Sequence, residues 1–367
     1  MTSKTFKCII AKHFTSKLVI QDVVKKMGVR LKDIAQRVGK SVTTVSRALN
    51  DYDDVGVETK AEIVRVADEM GYSPNTLAQR LQKRRSDTIG LIIPTPPERF
   101  ADPFFTELLA AVGDKASERG YDMLVSTQPP GEQELMTYRK MLEGRLVDGF
   151  IVARTHRQDA RIEYLAMQGF PFVVFGSVEG DIEFPFIDVD GEHGMRLIAG
   201  HLYESGCRNV ACIAPHSDFS FASCRMEGLQ DGLAERGLQL KEENIRTGDL
   251  SQSSGYEHAR DFLNKTDSPD AIASCNDLMA FGAIHAAQEL GLVVGKDVCI
   301  TGFDDVPTAE HAHPPLTTVH QPVREVGGMV CEMLVKLISG EKLVREHILL
   351  QPTLVVRQSC GEILNRN

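Results

Sequence analysis

The chain has 367 residues, 42% of them hydrophobic and 25% charged, which is enough for two or three packed domains. This composition excludes a disordered, collagen-like or disulfide-scaffold protein. No apolar run approaches the roughly 18 residues of a membrane span, and the N-terminus lacks the apolar core of about 7–15 residues that an export signal needs. We therefore expect a soluble, cytoplasmic protein with no membrane partner. The eight cysteines show no C-x-x-C pair and no zinc-like spacing, so reduced thiols are expected rather than disulfides or a metal site.

Charge is distributed unevenly along the chain. Residues 1–86 contain 17 Lys and Arg against 9 Asp and Glu, a net of +8, whereas residues 87–367 contain 24 against 42, a net of -18. A basic module on an acidic body is typical of a protein in which one domain contacts a polyanion.

The N-terminal part contains three predicted helices. Residues 1–27 show no clear periodicity and are interpreted as a disordered extension, of which residues 1–26 are untranslated if synthesis starts at Met27. Beyond it, apolar residues at helical spacing predict helices over 31–38, from the N-cap residue Ser41 to Leu49, and over 60–70. Three helices in about 45 residues predict a small all-α helix-turn-helix domain over 28–73.

A short basic segment, residues 74–86, follows the three helices. It is too short to form a stable helix alone in water, so we expect it to fold only against a partner.

The remaining chain alternates short apolar runs with amphipathic stretches. This alternation predicts parallel sheets covered by helices on both faces, arranged as two α/β lobes with a ligand cleft at the carboxyl ends of their strands. We assign residues 87–188 and 318–340 to the first lobe, and 189–317 and 341–360 to the second. Predicted strands are Ile89–Pro94, Tyr121–Ser126, Gly149–Ala153, Phe172–Phe175, Asn209–Ala214, Ala271–Ser274 and Val298–Phe303. Predicted helices are Phe104–Arg119, Glu132–Glu143, Gly191–Tyr203, Ala222–Arg236, Ser253–Leu263 and Leu278–Leu290.

Motifs for nucleotide binding and catalysis are absent from the sequence. There is no G-x-G-x-x-G after the first strand, and no P-loop, G-x-S-x-G or H-E-x-x-H motif. We therefore predict no cofactor and no enzymatic activity.

Several motifs in a fixed order resemble one known family. They are the segment from Leu31 to Asn50 (LKDIAQRVGKSVTTVSRALN), then Gly71–Asn75 (GYSPN), Ala78–Leu81 (AQRL), Arg225–Gly228 (RMEG), Asn276–Asp277, Gly302–Asp305 (GFDD) and Pro314–Gln321 (PPLTTVHQ). On these residues the sequence resembles the LacI/GalR family of bacterial transcriptional regulators. The resemblance extends over almost the whole chain after Met27 and implies a DNA-binding domain, a hinge helix and a two-lobed core similar to periplasmic binding proteins.

The resemblance implies which residues contact DNA. Val42, Thr43 and Arg47 would reach base edges in the major groove, where arginine can donate two hydrogen bonds to guanine. Ser41, Thr44 and Ser46 are better interpreted as capping, packing or phosphate contacts. Leu81 would insert into the minor groove. Asn50, Asn75 and Ala78 complete the implied DNA-binding set.

The resemblance also implies a small-molecule effector, a sugar or glycoside. Arg225 and Asp304 would grip hydroxyl groups from opposite sides of the cleft, with Asn276 beside them; a salt bridge within the fold is the alternative for that pair. Phe104, Phe105 and Arg154 would line the same pocket. The alternative is that they are ordinary residues of the core or of the surface. Leu250 and Gly176 replace an aromatic residue and a carboxylate of sugar-responsive relatives, which favours a disaccharide or other glycoside.

These expectations define a homodimeric repressor of carbohydrate genes that a sugar releases from a palindromic operator. The eight residues from Cys360 to the end are too few for a tetramer-forming coiled coil. Three alternatives stay open: a regulator responding to a purine or other metabolite, a sugar-binding protein without a regulatory role, and a sugar-converting enzyme.

Overall fold

The computed structural model describes residues 29–72, 85–95, 102–178 and 180–361. The chain divides into two compact units, one ending at Arg84 and the other beginning at Arg85. The predicted extension over 1–27 and most of the predicted hinge segment, including Asn75, Ala78 and Leu81, lie outside the described residues.

The described part of the first unit is a three-helix domain. Helices α1 (Leu31–Val38), α2 (Val42–Leu49) and α3 (Val57–Met70) enclose a small core; helix α3 begins three residues before the predicted start. Left-handed glycines end two of them, Gly39 after α1 at φ 63° and Gly71 after α3 at φ 68°, a conformation that costs glycine little. The buried residues of this core are Ile34, Ala35, Val45, Ala48, Ile63, Val66 and Ala67.

The second unit contains two α/β lobes. The first lobe begins with β1 (Thr88–Pro94), α4 (Pro103–Glu118), β2 (Asp122–Gln128), α5 (Glu132–Glu143), β3 (Gly149–Ala153), α6 (Ala160–Met167), β4 (Phe172–Phe175) and β5 (Phe186–Val189). The second contains α7 (Gly191–Glu204), β6 (Val210–Ala214), α8 (Ser220–Ala234), β7 (Ile245–Thr247), α9 (Gln252–Leu263), β8 (Ala271–Ser274), α10 (Asp277–Glu289), β9 (Cys299–Asp304) and β10 (Thr317–His320). The chain ends with α11 (Val323–Ile338), β11 (His347–Leu350) and β12 (Thr353–Val355). Short 3-10 helices cover Glu242–Asn244, Ala309–His311 and Gln358–Cys360.

Each lobe is built on a six-stranded sheet. The first has the order β11-β5-β4-β3-β1-β2, with every neighbouring pair parallel. The second has the order β12-β10-β9-β8-β6-β7, and its edge strand β12 is antiparallel to β10. Strands β3, β4, β6 and β8 are buried along their whole length, as expected for parallel strands covered on both faces.

The predicted boundaries between the lobes are wrong at two places near the C-terminus. Strand β10 was assigned to the first lobe, but it pairs with β9 in the second sheet, where Thr318 lies opposite Gly302. Strand β11 was assigned to the second lobe, but it pairs with β5 in the first, where Ile348 lies opposite Ile187. Both are four-residue strands whose sheet is set by partners distant in sequence, which local periodicity does not report. The chain therefore crosses between lobes three times: after β5, between β10 and α11, and between β11 and β12.

Helix α11 packs on the first lobe, between two of these crossings. Gly327 makes this contact close, since a Cβ there would lie 2.6 Å from the Ala111 side chain of α4.

Among the described residues, no helix is long and apolar enough to cross a membrane.

Candidate functional site

Helix α2 presents one polar face outward. Val45 and Ala48 anchor the opposite face in the core, while Val42, Thr43 and Arg47 are exposed. An exposed valine beside a polar residue and an arginine is what a base-reading helix needs, because the valine can contact a thymine methyl group and the arginine a guanine.

Ser41 and Thr44 form the cap of helix α2. The Ser41 hydroxyl accepts a hydrogen bond from the Thr44 backbone N–H at 3.0 Å and lies 2.8 Å from the Thr44 hydroxyl. At the other end, the Asn50 side-chain amide donates to the Ser46 carbonyl oxygen at 2.8 Å. Four of the predicted DNA-contact residues therefore make contacts that fix the ends of the helix.

Arg47 is held on two sides by the turn that follows helix α2. Its Nε donates to Asp54 Oδ1 at 2.9 Å, and its Nη2 lies 2.6 Å from Asp54 Oδ2. The guanidinium carbon lies 5.0 Å from the centre of the Tyr52 ring. Arg47 and Asp54 remain about half exposed, at 45% and 53% of their side-chain surface.

A cleft opens between the two lobes of the core. Both lobes contribute residues at the carboxyl ends of strands or in the first turns of helices, the position expected for ligands of open α/β sheets. Its lining residues are Phe104, Arg154, Thr155, Phe175, Gly176, Asp188, Val189, Gly191, Ser220, Phe221, Cys224, Arg225, Leu250, Asn276, Asp304 and Gln321.

Arg225, on helix α8, is the buried cation of this cleft. Its guanidinium carbon lies 3.7 Å from the centre of the Phe303 ring and 4.6 Å from that of Phe221, so two aromatic faces hold its plane. Nη1 donates to the Cys275 carbonyl oxygen at 2.5 Å. Nε is buried without a hydrogen-bond partner, which leaves a donor for a ligand.

Asp304 lies on the same side of the cleft as Arg225, which corrects the prediction that the two face each other across it. Both belong to the second lobe, and Arg225 Nη2 is 3.9 Å from Asp304 Oδ1. Gln321 Nε2 donates to the same carboxylate oxygen at 2.6 Å. Burial raises the pKa of Asp304 well above its ordinary value despite the neighbouring guanidinium. The pair therefore forms the ion pair of the alternative interpretation, at a distance too long for a direct hydrogen bond.

The backbone at Asp304 is strained, and hydrogen bonds to the buried Asp277 hold it in place. Asp304 has φ 124° and Asp305 φ 56°, values that non-glycine residues rarely adopt. The fully buried Asp277 accepts hydrogen bonds from the Val306 N–H at 2.8 Å and from the Thr318 hydroxyl at 2.5 Å. These contacts fix the turn that presents Asp304 to the cleft.

Asn276 lines the cleft and also begins helix α10. Its Oδ1 accepts from the Met279 N–H at 3.0 Å, and its Nδ2 donates to the Leu250 carbonyl oxygen at 3.0 Å. A ligand contact would add to this capping role, since an amide has further hydrogen-bonding capacity.

The first lobe supplies Phe104 and Arg154 to the cleft, but not Phe105. Phe105 is buried in the hydrophobic core of that lobe, so its predicted place in the pocket is wrong. Helix α4 explains the difference, because consecutive residues on a helix point about 100° apart. Arg154 has φ 52°, forms an ion pair with Asp102, and lies with its guanidinium carbon 4.7 Å from the Phe105 ring centre.

Sequence reasoning missed a contact that joins the lobes at the cleft. The Thr155 and Ser220 hydroxyl oxygens are 2.5 Å apart, and the Ser220 N–H donates to the Thr155 carbonyl oxygen at 3.0 Å. Next to this pair, the His156 ring stacks on Phe219 at 5.2 Å between centres. The signal available was positional, since Thr155 lies two residues after strand β3 and Ser220 begins helix α8.

Other pocket residues were missed for a similar reason. Asp188 lies near the end of the unpredicted strand β5 and accepts a hydrogen bond from the Ser177 hydroxyl at 2.7 Å. Burial raises the pKa of this carboxyl. Phe221 lies one helical turn before Arg225, and this i,i+4 spacing could have identified it; Cys224 lines the cleft as well, but its position next to Arg225 gives no such signal.

Gly176 and Leu250 both line the cleft, and Thr155 leaves no room for a side chain at Gly176. Gly176 has φ 119°, and a Cβ there would lie 2.7 Å from Thr155 Oγ1. The cleft therefore combines aromatic walls, a buried guanidinium, two carboxyl groups and several amide or hydroxyl groups. Such a set suits a polyhydroxylated ring, whose faces stack on aromatics and whose hydroxyls both donate and accept. The described residues hold no group of three His, Cys, Asp or Glu side chains placed for a metal ion.

Comparison with known proteins matches both units. The family model described as "Bacterial regulatory proteins, lacI family" matches residues 30–75, and the model of a periplasmic binding protein-like domain matches residues 199–360. The HTH-type transcriptional regulator AglR of Rhizobium meliloti (strain 1021) is 33% identical over 345 residues, covering 93% of this chain and 97% of AglR.

Two solved structures extend the comparison. A transcriptional regulator CelR–cellobiose complex has 32% identity and a TM-score of 0.70, covering 90% of this chain and 99% of that one. The lac repressor dimer bound to operator and the anti-inducer ONPF has 29% identity and a TM-score of 0.80, covering 91% of this chain and 100% of that one.

Proposed function

Because the chain belongs to the LacI family of bacterial DNA-binding transcriptional regulators, we propose that it is a homodimeric repressor of carbohydrate genes, released from its operator by a sugar. The observation that carries the effector part is the cleft beside Arg225. There a stacked, buried guanidinium with an unpartnered Nε lies 3.9 Å from a carboxyl group. Adjacent hydroxyls of a sugar ring fit such a pair, because one can accept from the guanidinium while the next donates to an oxygen of the carboxyl group.

The residues at two positions of the cleft favour a disaccharide or other glycoside over a monosaccharide. Gly176 offers no carboxylate and Leu250 no aromatic ring to a ligand in the cleft. The structural neighbour CelR is a complex with cellobiose, which makes cellobiose the first compound to test. A purine or other metabolite is the alternative effector.

The DNA part of the proposal rests on the exposed face of helix α2. Val42, Thr43 and Arg47 read bases, whereas the capping residues Ser41 and Asn50 fix the helix that carries them. A single reading helix covers one half-site, so two protomers bind a palindrome. The lac repressor among the structural neighbours is a dimer bound to operator, which supports this arrangement. Asn75, Ala78 and Leu81 remain predicted contacts of the hinge segment.

Effector and operator compete because each favours a different arrangement of the core. Residues from both lobes line the cleft, so a ligand that contacts both changes the relative stability of their arrangements. Such a coupling typically amounts to about 1–3 kcal/mol, or a 5- to 150-fold change in DNA affinity.

Fluorescence anisotropy of labelled DNA tests this function. The purified protein is titrated against the promoter region upstream of its own gene, with and without cellobiose and a panel of other sugars and purines. Loss of binding with one sugar supports the proposal. Binding that no sugar weakens, or that a purine strengthens, contradicts the sugar-released repressor, and absence of sequence-specific DNA binding contradicts it entirely. Turnover of a sugar would revive the enzyme alternative.

A further inference from the structure

The turn after helix α2 carries three acidic residues beside the surface proposed to meet DNA. Asp51, Asp53 and Asp54 are all exposed, and their charge would repel DNA phosphates. Asp51 forms an ion pair with Lys60, and Asp54 forms the two-point contact with Arg47. Asp53 has no hydrogen bond or ion pair with any residue that the structure describes. A carboxylate near DNA weakens binding unless it has a compensating role. Of these three residues, only Asp54 contacts a side chain that is proposed to read bases.

The geometry of the contact leaves one edge of Arg47 open. Asp54 accepts through both carboxylate oxygens from the Nε and Nη2 side of the guanidinium. The opposite edge, formed by Nη1 and the second Nη2 hydrogen, donates to none of the described residues. That edge presents two parallel N–H groups, the pattern that matches O6 and N7 of guanine in the major groove.

A second contact fixes the plane of the same guanidinium. The Tyr52 ring lies below it, 5.0 Å from the guanidinium carbon, and the Tyr52 N–H donates to the Arg47 carbonyl oxygen at 3.1 Å. A free arginine side chain has several rotatable bonds that must be ordered when it binds a base. Here the turn restricts them before DNA arrives, which is the condition for tight geometric discrimination.

We propose that Asp54 is a positioning residue for DNA recognition, which orients Arg47 so that its open edge selects guanine at one position of each half-site. This inference rests on the proposed reading role of Arg47. It predicts that the carboxylate improves discrimination between sequences even though its charge weakens attraction to DNA in general.

The test compares two neighbouring carboxylates of the same turn. Asp54→Ala removes the two-point contact and Asp54→Asn leaves a single acceptor oxygen for it, whereas Asp53→Asn removes the same charge from the adjacent position and leaves the contact intact. The full-length wild type first selects its preferred duplex from a random-sequence library. Binding of every variant is then measured by anisotropy on that duplex and on duplexes carrying one substituted guanine, over a series of salt concentrations.

We expect both Asp54 variants to lose about tenfold discrimination at one guanine position, while Asp53→Asn keeps the wild-type preference. Arg47→Ala should abolish discrimination at that position. The double variant with Arg47→Ala and Asp54→Ala should discriminate no worse than Arg47→Ala alone, because the two residues act as a unit. Thermal unfolding of each variant confirms folding, and Asp54→Asn, which preserves side-chain shape, serves if Asp54→Ala does not fold.

Three results would overturn the inference, and they can be told apart. If the Asp54 variants bind all duplexes more tightly with unchanged preference, as Asp53→Asn should, the carboxylate only neutralises charge. If Arg47→Ala retains the preference, the reading role of Arg47 fails first. If the wild type selects no sequence, the proposed function fails and this inference with it.

Discussion

Replacement of Arg225 by lysine isolates the contribution of its planar guanidinium to effector binding. The charge is kept, but a single ammonium group cannot stack between Phe221 and Phe303, bind the Cys275 carbonyl oxygen and still reach the effector. Each lost hydrogen bond between a charged group and a sugar hydroxyl is worth about 1.5–3 kcal/mol. Two such bonds lower affinity at least about a hundredfold, since about 1.4 kcal/mol corresponds to tenfold.

Isothermal titration calorimetry with the sugar that releases the wild type from DNA measures this loss. The chain contains no tryptophan, which removes the usual intrinsic fluorescence signal. Arg196→Lys is the matched control, because Arg196 lies in the same lobe but pairs with surface carboxylates of Glu192 and Asp231. Operator affinity without sugar should be unchanged in both variants. An effector Kd within threefold of wild type for Arg225→Lys would refute the reasoning.

Three further predictions concern stability, each measured by urea or thermal unfolding. Burial raises the pKa of Asp277 to about 7, so the native protein keeps a proton on Asp277 that the unfolded chain has already released. This proton stabilises the native state at acid pH, and the stabilisation is lost as the pH rises through 7. We expect the free energy of unfolding to fall by about 1 kcal/mol between roughly pH 6 and pH 8 for this reason. Asp277→Asn should lose that part of the decline, and an equal slope would contradict it. Gly176→Ala should cost on the order of 2 kcal/mol, because the new Cβ combines positive φ with a 2.7 Å approach to Thr155. Gly169→Ala, at φ 58° in open space, should cost less, and equal losses would show that backbone strain alone matters. Ser41→Ala should destabilise the three-helix unit by about 1 kcal/mol and Ser41→Gly by only a few tenths; equal effects would argue against the cap.

The elements that sequence predicted well are those that local pattern determines. Gly149–Ala153, Phe172–Phe175 and Ala271–Ser274 have the predicted bounds, because a central parallel strand is an uninterrupted apolar run. Strand β5 was missed because Asp188 interrupts its pattern, and that aspartate faces the cleft. The prediction of strand β5 therefore failed at a polar residue that lines the cleft instead of packing in the core.

The site was predictable in composition but not in arrangement. Motifs identified Arg225, Asn276 and Asp304, and all three line the cleft. That Arg225 and Asp304 share one wall depends on helix α8 and strand β9 packing in the same lobe, which no local spacing reveals. The Thr155–Ser220 contact joins residues 65 positions apart on different lobes, so it exists only once both lobes are formed.

The three crossings between lobes have a consequence for synthesis on the ribosome. In the first sheet β5 pairs with β11, so Ile187 cannot pair until Ile348 has been translated. The apolar side of α4 likewise stays uncovered until α11 has been translated. The second sheet is completed still later, by Thr353–Val355. A nascent chain thus carries two unfinished sheets with exposed edges until residues 347–355 leave the ribosomal tunnel, whereas the three helices and their buried core residues are translated by residue 70. Chains cut short by premature termination would retain the three-helix unit while exposing apolar core surface, which marks them for chaperones and proteases rather than for accumulation.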